Sequence, residues 1–103
     1  MPYRVLSRYH RPNTSVDWHN GKIFDEAVTQ QTIELMFTEF HGKKTRTVTE
    51  TDPLTLEVEF IWESQATYED WASRPIIQQQ QALIDQYNAS SGIIADPKEK
   101  SEV

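Results

Sequence analysis

The chain has 103 residues, with 10 Lys+Arg against 16 Asp+Glu, three His, no Cys and a formal charge of -6. That length suits one domain, and 37% hydrophobic with 25% charged residues is the composition of a soluble globular protein rather than a disordered one. The absence of cysteine excludes disulfides, Cys-ligated metal and thiol catalysis, and the acidic excess argues against nucleic acid as a partner. No apolar run approaches the ~20 residues that cross a bilayer. Met1-Pro2-Tyr3-Arg4-Val5-Leu6-Ser7 lacks a secretory apolar core, so a cytoplasmic setting away from membranes is expected.

Tyr3 to Tyr9 reads as a strand, with Tyr3, Val5, Ser7 and Tyr9 on one face and Arg4, Leu6 and Arg8 on the other. Pro12, the Asn13-Thr14-Ser15 run and the His19-Asn20-Gly21 turn signal make residues 10–22 a structured loop. A helix is predicted from about Phe24 to Phe40, opened by Asp25 and Glu26 and closed by His41-Gly42. Its apolar residues fall on two sides: Phe24, Val28 and Leu35 on one, Ile33, Met36, Phe37 and Phe40 on the other. That pattern predicts burial on both. A strand over residues 33–37 is the rival reading.

Thr45 to Trp62 carries the clearest pattern. A β-rich segment reaches the Asp52-Pro53 turn, and Leu54, Leu56, Val58, Phe60 and Trp62 then alternate with Thr55, Glu57, Glu59 and Ile61. This is an antiparallel hairpin with one buried and one mostly wet face. Ser64 caps the next helix, Pro75 opens another, and Gly92 ends it. Ile93-Ile94-Ala95 can add a short strand. Residues 1–95 therefore read as a single α+β domain, and 96–103 as a charged tail that frays unless a partner orders it. The order of elements predicts a ferredoxin-like antiparallel sheet with two helices on one face.

The segment Phe60-Ile61-Trp62-Glu63-Ser64 through Tyr68, Trp71 and Pro75 resembles the strand-to-helix passage of the dimeric α/β-barrel superfamily. That superfamily includes antibiotic-biosynthesis and haem-degrading monooxygenases. The resemblance spans residues 54–90, and it implies a homodimer in which two sheets close into a barrel. The haem-degrading branch uses an Asn on the first strand, the Trp ending the third strand and a His on the last helix. Trp62 matches that Trp, but Gln81 stands where the His would lie and residues 3–9 contain no Asn, so no haem is expected. The cofactor-independent branch implies an apolar pocket for an electron-rich aromatic. Trp62, Tyr68, Trp71, Tyr9 and His10 are the residues to line it, although regularly spaced Trp residues more often anchor a core.

Other constellations have plainer explanations. His10 and His19 flank a loop with Asp17, but His10, His19 and His41 lack a compact metal-ligand spacing; Met1-Pro2 is a weak tautomerase signal, and Glu57, Glu59 and Glu63 suit a wet strand face. Lys43, Lys44 and Arg46 suit protection of an edge strand. Two readings remain. The first, narrowly preferred, is an interaction or assembly domain without a catalytic site, a homo-oligomer or a subunit of a larger particle such as a viral one. The second is a cofactor-independent monooxygenase-like enzyme or binder of a small aromatic ligand. A cavity over Val58, Phe60 and Trp62 favours the second, and a filled face the first.

Overall fold

The computed structural model describes residues 1–20 and 22–103, so Gly21 of the expected turn lies outside the described residues. Eight elements follow one another: β1 (Tyr3–His10), α1 (Glu26–Phe37), β2 (Lys44–Asp52), β3 (Thr55–Trp62), α2 (Gln65–Ser73), α3 (Pro75–Ser91), β4 (Ile94–Ala95) and β5 (Glu99–Glu102). The strands form one antiparallel sheet in the order β2-β3-β1-β4, with β5 also on β1. This is the expected ferredoxin-like α+β arrangement, with the second helical segment broken at Pro75 so that three helices result.

Local chemistry sets most boundaries. Asp25 caps α1 by accepting from the Val28 amide, and Ser64 caps α2 by accepting from the Thr67 amide. Pro75 sits in the first turn of α3, where its missing N–H costs nothing. Gly92 ends α3 at φ 75°, a left-handed conformation that a side chain would disfavour.

The register of β1 on β3 aligns Tyr3 with Trp62, Val5 with Phe60, Ser7 with Val58 and Tyr9 with Leu56. These residues share the inner face, under the helices. Tyr3, Val5, Phe40 and Trp62 form one buried cluster, and Tyr9, Leu56, Val58 and Ile93 another. The outer face is polar: Arg4 bonds Glu59 at 2.6 Å and Arg8 bonds Glu57 at 2.7 Å, flanking a buried Leu6.

Three expectations need correction. The two-sided burial of α1 does not occur: none of its residues is fully buried and Phe37 is 66% exposed, while Phe40 packs inside only after the helix has ended. Leu54 sits at the hairpin tip and is exposed rather than part of the buried stripe. Residues 99–102 are not a frayed tail but β5, because the outer edge of β1 beyond β4 offers unpaired backbone groups that this segment satisfies.

Trp62 is 2% exposed and meets Phe40, Phe60, Tyr68 and Trp71 at ring separations of 5.6–6.3 Å. Trp62→Ala is expected to destabilise the fold by about 3–5 kcal/mol in urea unfolding, and Trp62→Phe by clearly less. A Trp62→Ala protein as stable as the parent contradicts this placement.

Candidate functional site

The helical layer does not close flat onto the sheet. Between them lies a cavity of about 780 Å³. Val5, Ser7 and Tyr9 of β1 and Val58, Phe60 and Trp62 of β3 form its floor, while α1 contributes Ile33 and Met36, and α2 contributes Tyr68 and Trp71. Asn20, Ile23, Ile33 and Arg46 are exposed and mark its mouth. Apolar walls with a few polar groups, at several hundred cubic ångströms, are the usual make-up of a small-molecule site.

Four of the five residues expected at a pocket line this cavity: Trp62, Tyr68, Trp71 and Tyr9. Trp62 is both core anchor and cavity wall. Its indole Nε1 is buried without a hydrogen-bond partner among the described residues, a donor that a ligand oxygen would satisfy. His10 is the exception. It has the strand parity of Arg4, Leu6 and Arg8, so it faces outward and bonds Asp96 at 2.9 Å.

His19 takes the place expected of His10. It is buried on the inner side, stands edge-on to Tyr9 with ring centres 4.4 Å apart, and has no partner for Nδ1. Desolvation lowers its pKa and outweighs the opposing influence of the Asn88 side chain, so it is neutral near pH 7. Asp17, by contrast, is exposed and pairs with Lys22 at 3.6 Å. Among the described residues no group of three His, Cys, Asp or Glu side chains converges as a metal site.

Lys44 and Arg46 also line the cavity, where edge protection had been expected of them. A single bulge is responsible. Asp52 pairs with Thr55 and Glu50 with Leu56, so Thr51 is looped out of the ladder. Without that bulge Thr45, Thr47, Thr49 and Thr51 would share the face of Trp62; with it Lys44, Arg46 and Val48 do. Lys44 Nζ lies 4.6 Å from the ring centre of Phe60, 4.7 Å from Trp71 and 5.3 Å from Trp62. Burial, helped by repulsion from Arg46, brings its pKa down to about 8. The Arg46 guanidinium donates to Asn20 Oδ1.

No family model matches the sequence, and neither does any curated protein. Among solved structures the chain is similar to SnoaB, a cofactor-independent oxygenase from Streptomyces nogalater, with a TM-score of 0.60 and 8% identity, over 99% of this chain and 92% of SnoaB. A protein from Chloroflexus aurantiacus, named as a candidate antibiotic biosynthesis monooxygenase, matches 98% of this chain and 91% of its own at 14% identity, with a TM-score of 0.46. At these identities the likeness is one of fold. The expectation of an assembly domain without a site is nonetheless overturned, because the sheet face encloses a cavity instead of being filled and the fold is one that SnoaB shares. The chain has the expected ferredoxin-like α+β fold, and SnoaB shares it.

Proposed function

We propose that this protein binds a small, electron-rich aromatic compound in the cavity and oxygenates it with dioxygen, without a bound cofactor. The observation that carries this reading is the cavity over Val58, Phe60 and Trp62, walled by aromatic rings and holding an unpartnered indole N–H. The oxygenase named among its structural neighbours supports it.

Each residue has a role that follows from its chemistry. Trp62, Tyr68 and Trp71 offer ring faces for stacking, and the Trp62 N–H donates to a ligand oxygen. Neutral His19 accepts a proton from the ring methylene that the phenolic substrate carries in its keto tautomer. The resulting carbanion reduces dioxygen, and loss of water from the hydroperoxide leaves a carbonyl. Methylene plus dioxygen thus balances to carbonyl plus water, the substrate itself supplying the electrons. Tyr9 holds the His19 ring by edge contact. The working unit is a homodimer, formed through the outer sheet face that no helix covers.

Lys44 also supports a working site. A half-buried ammonium without a carboxylate partner costs folding energy, and neighbouring rings offset only part of that. Groups held so are concentrated where function needs them.

Three outcomes are expected. An oxygen electrode should register one dioxygen consumed per molecule of an activated dihydroxynaphthalene, with His19→Gln slower by about 10²–10⁴-fold; no enzyme-dependent uptake across a panel of such aromatics contradicts the oxygenase reading. Light scattering should give twice the chain mass independent of concentration, whereas a monomer rules out the dimer. Lys44→Met should raise the melting temperature near neutral pH. Its folded pKa of about 8 lies below the ordinary 10.5, so the unfolded chain holds the extra proton between those values and native stability rises with pH there. The advantage of Lys44→Met should therefore shrink from about pH 8 to 10.5. A variant less stable at neutral pH contradicts the assigned cost.

A further inference from the structure

The cavity has a charge opposite to that of the protein. The chain carries a formal charge of -6, yet Lys22, Lys44, Arg46 and Lys98 line the cavity against the single carboxylate of Asp85. Lys22 is already engaged by Asp17, and Asp85 accepts from Gln81 at 2.9 Å. Lys44 and Arg46 form no ion pair among the described residues, although acidic partners hold Arg4, Arg8, Arg11, Lys43 and Arg74 elsewhere.

The rings around Lys44 sharpen the point. Phe60, Trp62 and Trp71 make an aromatic box of the kind that holds ligand cations, but here the protein's own ammonium fills it. A second cation is excluded there. What the box lacks is an anion. Arg46 stands two residues along the same strand and the same face, about 7 Å away at the backbone. Its planar fork retains donors beyond the one given to Asn20. Two neighbouring cationic donors suit the two oxygens of one carboxylate.

We propose that Lys44 and Arg46 form an anion subsite in the cavity wall, and that the ligand is an aromatic carboxylate whose acid group lies against them while its ring runs along Trp62. This rests on the aromatic-cavity reading and narrows it to one chemical class. The carboxylate supplies the counter-charge that the fold withholds from Lys44, so binding relieves a cost built into the empty site. The exposed position of Arg46 at the mouth places the acid group at the β2 edge of the cavity, with the far end of the ring system directed toward Tyr9 and His19.

The test is a calorimetric titration of the full chain with naphthoate and with its neutral isostere naphthalenemethanol, repeated at raised salt. Naphthoate is expected to bind at least about tenfold more tightly, the effect of one charge-assisted hydrogen bond. Lys44→Met should remove that preference, and Lys44→Arg should restore part of it. Arg46→Gln, a change at an exposed position, gives the same reading if Lys44→Met fails to fold, and should weaken naphthoate alone. Equal affinity for the two compounds overturns the anion subsite and leaves the aromatic cavity standing. Absence of binding by both overturns the subsite together with the cavity reading on which it rests.

Discussion

The structure depends on how Trp62 is packed. The residue ends β3, pairs with Tyr3 across the ladder and meets rings from β3, α2 and the segment after α1. A bulky ring at the end of the central hairpin supports the helical layer at one end of the sheet. Toward the other end, Tyr9, Leu56, Val58 and Ile93 support the Val16–His19 segment and Tyr87. The helices rest on these two clusters and span the sheet between them, and the span is the cavity. Core packing and site formation therefore follow from the same aromatic contacts.

The polar groups of the cavity are left in states that stability alone would not select. Among the described residues Trp62 Nε1 and His19 Nδ1 are buried without partners, and Lys44 is held among rings rather than beside a carboxylate. Each is a cost of the order of a kilocalorie or more in a fold whose total stability is small. The outer face of the same sheet treats its charges differently, pairing Arg4 with Glu59 and Arg8 with Glu57. One sheet thus carries a satisfied face and an unsatisfied one. The unsatisfied face looks into the cavity, where a ligand can complete it.

Much of the architecture was legible in the sequence because its signals are local. The alternation from Leu56 to Trp62 marks β3, and Ser64, Pro75 and Gly92 mark helix ends by their own backbone and side-chain chemistry. Trp62, Tyr68, Trp71 and Tyr9 were expected at a pocket only through the family resemblance, their spacing alone pointing to core anchors, and they line the cavity. β5 was not legible, since Glu99-Lys100-Ser101-Glu102 has neither β-branched nor apolar residues and is held by distant partners, through backbone pairing to β1, the Arg8–Glu99 ion pair and the contact of Lys100 with the Tyr68 ring. Lys44 and Arg46 were hidden by the looped-out Thr51, which reverses the parity of β2 relative to the turn. His10 was misplaced for a simpler reason: its even number in β1 already sets it opposite Tyr9.

The central claim is that the space between sheet and helices is a ligand site, and the direct test is nuclear magnetic resonance of the isotopically labelled protein titrated with naphthoate. The account predicts that the Trp62 indole N–H resonance shifts saturably, together with the amides of Lys44, Phe60, Trp71 and His19. Saturable binding that leaves those signals unmoved, or that shifts only residues of the outer face such as Arg4 and Glu57, would contradict it.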